Sequence, residues 1–592
     1  MASLGAQSVA VQVCHDAMSA AAMSHEYVAI VLAGTVLDVT ACERAAWFLA
    51  THSQVPCVTG AIAGKPVDAS ASALQFLMLR TTVASRLLPT DNALAPATAI
   101  ALLLGVHGDT GRGAGWLAEP VIRTPADAAA TSSIHHEARA ALHSLGLDDA
   151  ALLDMSAAGL PVHPQQQLMH VEPPPLTVTQ APTSGMRILV LVQGFPMGGY
   201  TAFNADLLPR LARCGHTITT CLTEWWRSDW RLEQVRETSP DIHHVAGAVP
   251  PMAMPAYIDW LLTTRAIDVV LLSHSYLGLR LLPWLRARHP DVAFVDYVHT
   301  DWFEAGMYGS YATMAMQWNG QLDAQLATSD ALVTQLVSGG CDADGVQAAH
   351  IGIDTAAWQH AGPRQAEIRT SLGATRDTTV LLFSGRLSAE KRPHLAVDVL
   401  AQLRAEGRDV LLIFAGSGPL LQATVERAEK LGLLAVCKFL GEVDEHTLRH
   451  VYAAGDVFIA PSEIEGIARS LYEAMSMGCV PVVSDVGGQR ELVVPGTGSL
   501  VAADRDDAQP YVDGVRPWLD AGTRARASEA ARAHVMQHFD VRRTVTKVTD
   551  TLQLARRRRQ SRQDTLPDAM ASELAVMAIE TIRRHVLRQM QR

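Results

Sequence analysis

Asp456-Val457-Phe458-Ile459-Ala460-Pro461-Ser462-Glu463-Ile464-Glu465-Gly466-Ile467-Ala468-Arg469-Ser470-Leu471-Tyr472-Glu473-Ala474-Met475, followed by Gly478 and Val480-Pro481-Val482-Val483-Ser484, decides the fold. The short apolar run that ends at Ala460 reads as a buried parallel strand, and Pro461 and Gly466 punctuate the turn after it. Ala468, Leu471, Glu473, Ala474 and Met475 favour a helix, so strand, loop, helix and strand follow one another.

A unit of this kind delivers a loop and the free amides of a helix N-terminus to the carboxyl edge of a parallel sheet, where open α/β folds bind phosphorylated ligands. Glu465 falls in the loop and Glu473 in the second turn of the helix, so both carboxylates can face that edge. A carboxylate accepts from two hydroxyls at once, which suits a sugar or a ribose diol. The plainer alternative is that Glu465 caps the helix and Glu473 is solvated.

Glu465-Gly466, the seven residues between the two glutamates, Glu473-Ala474-Met475, Gly478, Pro481-Val482-Val483 and Gly487-Gly488 with Glu491 resemble the signature of glycosyltransferase family 4. The spacing alone is weak, whereas the whole run in this order is specific. Ile467 and Ala468 stand where Phe and Gly are usual, which bears on the donor-sugar pocket and leaves both carboxylates in place. The resemblance extends over about residues 186 to 555. It implies a GT-B architecture of two facing Rossmann-like halves and sugar transfer from a nucleotide diphosphate sugar.

Composition sets the outer limits. The 592 residues suffice for three or four domains, and 48% hydrophobic with 18% charged content indicates a globular chain. A net charge of −12 argues against a general nucleic-acid binder. The eight cysteines are scattered without a CxxC pair, which suggests neither a metal site nor a disulfide framework and fits a reducing compartment. No apolar run approaches the ~18 residues of a membrane span and no signal-peptide pattern opens the chain, so a cytoplasmic location is expected.

Residues 1–172 are rich in alanine and carry strand-like runs at Tyr27 to Leu32 and Val55 to Thr59, with a helix-like stretch around Trp47 between them. With Gly113-Ala114-Gly115-Trp116 they faintly resemble the second half of a glycosyltransferase family 2 domain. That family neutralises its leaving group with a metal held by Asp-x-Asp, whereas Ala33 to Asp38 offers one carboxylate, so a truncated, degenerate α/β domain is expected. His135-His136-Glu137 points its histidines in different directions on any regular element and is not read as a metal site. The prolines and small polar residues of 173–185 read as a linker.

Met186 to Val192 then opens a new domain as a buried strand, Gln193 to Gly199 forms a glycine-containing loop, and Thr201 to Cys214 a helix. Gly198 and Gly199 would let a ligand approach the backbone, and a plain structural turn is the alternative. Further strands are expected at Thr217 to Leu222, Val269 to Ser273 and Val292 to Val298, which makes a doubly wound parallel sheet. His299 ends the last of these, and the resemblance places it beside the donor sugar, oriented by Asp296 or Asp301. Ala331-Leu332-Val333 and His350 to Asp354 look like the last strands before a crossover near 360–375.

The second half restarts with a strand at Thr379 to Ser384 and a turn carrying Arg386 and Lys391, five residues apart. Fixed positive charge there would stabilise a departing diphosphate without a metal, and no Asp-x-Asp clamp is expected in either half. The strand and glycine turn Leu411 to Pro419, with Gly416, and the strand Val436 to Gly441 look like elements lining the nucleotide base. After Asp540 the chain turns helical and basic. Arg556, Arg557, Arg558 and Arg559 read either as a contact for anionic lipid or acidic glycan at a membrane face, or, more commonly, as a solvated helix face.

The expected division is therefore a degenerate α/β domain at 1–172, the linker, an acceptor-side Rossmann-like domain at 186–365, a nucleotide-sugar domain at 366–540 and helices at 541–592. By the resemblance, His299, Glu465, Arg386 and Lys391 serve catalysis. Gly198, Gly199, Arg386, Lys391, Gly416, Gly466, Ile467, Ala468 and Glu473 hold the donor. Transfer retains the anomeric configuration and needs no cofactor or metal beyond the nucleotide diphosphate sugar, and the acceptor is a glycan, a lipid-linked sugar or a protein. A nucleotide-sugar 2-epimerase of the same fold and a noncatalytic partner of another transferase are the alternatives.

Overall fold

A computed structural model describes residues 185–559 except 197, 225–230, 246–248, 250, 302–309, 360–364 and 503–505. Outside that range it describes Trp47, residues 575, 576 and 579, and the backbone of six strands. These are β1 (Gln12–Val13), β2 (Tyr27–Val31), β3 (Val36–Leu37), β4 (Cys57–Ile62), β5 (Phe76–Arg80) and β6 (Gly115–Arg123), in the order β1-β2-β5-β4-β6-β3. The sheet is mixed, with β2 and β4 both antiparallel to β5 and β4 parallel to β6. The expected strand at Val55 to Thr59 sits two residues later, and the Gly115-Trp116 pair opens a long strand. The linker 173–184 and the His135-His136-Glu137 cluster lie outside the described residues.

Two parallel sheets follow, as the alternation of apolar runs and amphipathic stretches requires, and both are Rossmann-like. β7 (Arg187–Val192), β8 (Thr217–Leu222), β9 (Ile242–His244), β10 (Val269–Ser273), β11 (Ala293–Val298), β12 (Ala324–Ala327) and β13 (Val346–Ala348) belong to one of them. Within it β10, β7, β8 and β9 pair in parallel, as do β11, β12 and β13. The other runs β16-β15-β14-β17-β18-β19, built from β14 (Thr379–Ser384), β15 (Val410–Ala415), β16 (Cys437–Phe439), β17 (Val457–Ala460), β18 (Val480–Ser484) and β19 (Ser499–Val501). Their strands are buried along almost their whole length, which is why they read as continuous apolar runs and not as alternating ones.

The helices that bear on function are α1 (Gly199–Arg213), α2 (Met254–Thr264), α3 (Asp330–Ser338), α4 (Pro393–Ala405), α5 (Glu445–Ala454), α6 (Arg469–Met477) and α7 (Val541–Arg559). By its contacts the chain divides into two compact units. One comprises Met1–Pro196, Leu211–Val292 and Ser561–Arg592, and the other Met197–Arg210 with Ala293–Gln560. In the first, Trp47 is fully buried and packs on Tyr257 and Trp260 of α2 at ring-centre distances of 4.8 and 5.6 Å. His243 at the edge strand bonds the Tyr257 hydroxyl, and Arg265 lies over the Trp260 ring while pairing with Asp241.

Three sequence expectations need correction. Ala331-Leu332-Val333 is helical and lies in α3, because Ser329 caps the helix by accepting from the Leu332 amide and Asp330 follows in the first turn. The strand read into His350 to Asp354 is β13, ending at Ala348. The later residues are irregular, with Gly352 left-handed at φ 60° and one bridge from Ile353 to Asp540. The arginine run is not a uniform solvated face: Arg556 and Arg557 are exposed at the end of α7, Arg558 donates to the Asp344 carbonyl and Arg559 is buried. Of the helices expected at 541–592, the part after Arg559 lies outside the described residues, apart from 575, 576 and the buried Ile579.

Candidate active site

The compact unit that holds Met197–Arg210 and Ala293–Gln560 contains every residue expected to act. Its centre is the loop from β17 to α6. Ala468 is the residue before α6 and no side chain caps that helix, so Glu465 is not a cap. Glu465 instead forms an ion pair with Lys391 Nζ and accepts from the Ser462 hydroxyl at 2.9 Å on the same oxygen. Lys391 ends a short 3-10 turn after β14, and Arg386 is exposed earlier in the same loop.

Beneath the loop, Arg392 is buried with a left-handed backbone (φ 45°) and donates to the carbonyls of Pro461 at 2.6 Å and Ser462 at 3.3 Å, and to the Tyr511 hydroxyl at 3.2 Å. The sequence reading missed it. The signal available was a cation followed at once by Pro393 at a helix start, where a side chain turns back over the preceding loop.

Glycines fix how closely the loop packs. A Cβ on Gly466 would run into the His299 carbonyl oxygen, and one on Gly487, at φ 54°, would meet the carbonyls of Glu465 and Gly466. Gly488 sits against Ile467 and Ser329 and donates to the Gly466 carbonyl at 2.7 Å. The loop is thus pressed onto the end of β11. Ile467 and Ala468 are buried there. Gly416, at φ 140°, lies against the Gly385 carbonyl, so its lack of a side chain is required by the fold itself. At Gly198 and Gly199, by contrast, the protein leaves room for a Cβ, and Gly199 is the first residue of α1 and not part of the loop.

His299 is buried after β11, stacked on Tyr297 at 4.7 Å and flanked by Phe203 at 5.5 Å and Tyr200 at 6.1 Å. The acids expected to orient it are engaged elsewhere. Asp296 accepts from the Tyr311 hydroxyl at 2.9 Å, and burial pushes its carboxyl up to about 7 despite that bond. Asp301 bonds Ser310 and Gln335.

Glu473 is buried in α6. Its two oxygens accept from Arg469 Nε and the Tyr452 hydroxyl, each at 3.1 Å. Arg469 reaches on to Asp206 of α1 at 2.6 Å. Burial works against the Arg469 charge, and Asp206 and Glu473 more than offset it.

Glu491 accepts from the amides of Asp330 and Ala331, each at 3.0 Å, and bonds His350 at 2.6 Å. Among the described residues, Asp330, His350 and Glu491 are the group with the makeup of a metal site. Both Glu491 oxygens are already taken by main-chain amides, which fits a brace on the start of α3 better than a cation cage. The Asp-x-Asp spacing does occur, contrary to expectation, at Asp342-Ala343-Asp344 and Asp504-Arg505-Asp506. Asp342 closes a turn by accepting from the Asp344 amide and Asp506 pairs with His394; Asp504 lies outside the described residues.

Comparison with known proteins identifies the family. The family described as Glycosyl transferases group 1 matches residues 364–534, and the Glycosyltransferase Family 4 description matches residues 197–357. A glycogen synthase of Mycobacterium tuberculosis is 26% identical over 401 residues, 65% of this chain and 84% of its own. A D-inositol 3-phosphate glycosyltransferase of Frankia alni is 32% identical over 181 residues, 29% of this chain and 44% of its own. Among solved structures, Anabaena HepE in complex with UDP superposes with a TM-score of 0.53 at 21% identity, covering 62% of this chain and 100% of that one, a likeness of fold. The chain belongs to the family 4 type of glycosyltransferases, with the GT-B fold.

Proposed function

We propose that this glycosyltransferase moves a sugar from a nucleoside diphosphate sugar to a glycan, lipid-linked or protein acceptor with retention of configuration and without a metal, from the cytoplasmic side of the cell. The observation that carries this is the loop from β17 to α6. It brings Glu465 and Lys391 into one ion pair, sets an uncapped helix start beside them and presses Gly466 onto the end of β11 at His299. An uncapped N-terminus is suited to a diphosphate, and Arg386 and Lys391 supply fixed charge where the leaving group becomes anionic. Glu473 would take the ribose hydroxyls and Glu465 those of the donor sugar, with Lys391 passing from Glu465 to the phosphate as the donor enters. The departing phosphate would accept the acceptor proton, and residues 186–365 and 366–540 would serve as acceptor and donor domains. The HepE structure contains UDP, which puts uridine nucleotides first among donors to try.

Incubation with UDP-, ADP- and GDP-sugars, following released nucleoside diphosphate with and without a chelator, tests this. Turnover that survives chelation supports the proposal, and turnover that needs added divalent metal overturns the metal-free part of it.

A further inference from the structure

We infer that Arg469 is a positioning residue, whose guanidinium, bridging Asp206 and Glu473, holds the Glu473 carboxylate in the orientation that accepts the hydroxyls of the donor ribose. The inference rests on the ribose role proposed for Glu473. Arg469 is the first residue of α6, where a cation opposes the helix dipole, and its side chain is buried. Both placements are unfavourable for an arginine unless partners offset them.

Two partners do, and they lie on different elements. Nε donates to Glu473 Oε1 one helical turn on, and Nη2 donates to Asp206 Oδ2, 263 residues earlier in sequence. The anchor is itself held. Arg210 donates to the Asp206 carbonyl at 2.7 Å, lies 3.8 Å from the Asp206 carboxylate and pairs with Asp354 at 2.6 Å, so charges alternate in a row from Asp354 through Arg210, Asp206 and Arg469 to Glu473.

The geometry holds the acid from two sides. Arg469 donates to one oxygen of Glu473 and Tyr452 to the other, and an ionised carboxylate is an acceptor only, the character a ribose diol requires. Only a forked side chain reaches two carboxylates in different directions from one position, which a lysine ammonium does not do. Pinning both oxygens prevents the carboxylate from rotating to solvent in the absence of donor, so the site is set before the nucleotide arrives.

The test compares affinities for a nucleoside diphosphate and its 2′-deoxy analogue, using whichever of UDP, ADP and GDP binds the wild-type protein, by titration calorimetry on the full chain. The wild type is expected to prefer the ribonucleotide by about tenfold, one charge-assisted hydrogen bond. In Arg469→Lys and in the near-isosteric Asp206→Asn, that preference should shrink below about threefold while affinity for the deoxy form stays the same. Asp206→Asn serves if the arginine variant does not fold. A preference that survives intact in either folded variant overturns the inference, as does equal weakening of both nucleotides, which is what a merely structural role would give. A wild type with no preference shows instead that the ribose role of Glu473 is wrong, and removes the basis of the inference with it.

Discussion

The Lys391–Glu465 pair and the Asp296 carboxyl are the two residue-scale features with the sharpest consequences. Glu465→Gln leaves Lys391 without its anionic partner, and because the proposed partner of Glu465 in the complex is the sugar, turnover should fall at least about tenfold while affinity for free nucleoside diphosphate changes less than about twofold. Calorimetry alongside a turnover assay checks this, and an equal loss of nucleotide affinity would place Glu465 on the nucleotide.

Asp296 gives a pH prediction whose sign is fixed by the direction of its shift. Burial raises its folded value to about 7, against about 4 in an unfolded chain. Below pH 4 both states hold the proton. As pH rises from 4 to 7 only the unfolded state ionises, so folding loses up to about 1.4 kcal/mol per pH unit. Asp296→Asn keeps the acceptor for Tyr311 and does not ionise. Its melting temperature should match wild type near pH 4.5 and exceed it at pH 7.5. A variant less stable at both would show that the carboxyl makes a contact an amide cannot replace.

The acids and cations were legible as single residues because their order along the chain is specific. Their partners were not, since Arg469 with Asp206 and Arg392 with Tyr511 meet only through the fold.

At the scale of elements, strands β7 and β10 were readable almost to the residue, because a strand buried on both faces is a continuous apolar run, and β8 was readable through the β-branched residues of Thr217–Leu222. The same rule misled at α3, where Ala331-Leu332-Val333 is a buried-looking triplet and the deciding information was the cap at Ser329. The turn between β18 and the residues after it shows how one loop supports another. Gly487 has a left-handed backbone with no space for a Cβ, whereas Gly373, also left-handed at φ 84°, faces open space. Gly373→Ala should cost only the backbone term of about 1–2 kcal/mol. Gly487→Ala should cost clearly more and also depress donor turnover, since the loop bearing Glu465 must shift. Denaturant unfolding of both variants measures the difference, and equal losses would mean that the loop yields without strain.

For the molecule as a whole, Trp47 ties the N-terminal segment to α2. A linker after residues 1–172 suggests that donor hydrolysis survives their removal. The buried Trp47 against Tyr257 and Trp260 predicts a cost: Trp47→Ala should lower stability by about 3–5 kcal/mol, and the truncated chain should melt lower still. Donor hydrolysis should nevertheless persist in the truncated chain below its melting point, since the candidate site lies entirely within Met197–Arg210 and Ala293–Gln560. Thermal scans with the nucleotide-release assay separate the two effects, and an unchanged melting temperature would show that the aromatic contact contributes nothing.

α7 lies against β11 and β12, and the chain where it begins pairs with Ile353: Val541, its first residue, donates to the Ile353 carbonyl and Ile353 to that of Phe539, each at 2.9 Å. On a ribosome, strands completed near residue 327 therefore wait for more than two hundred further residues before their helical cover emerges. A nascent chain arrested before Val541 leaves those strands without their helical cover and open to chaperones, so synthesis of the strands alone does not close this region.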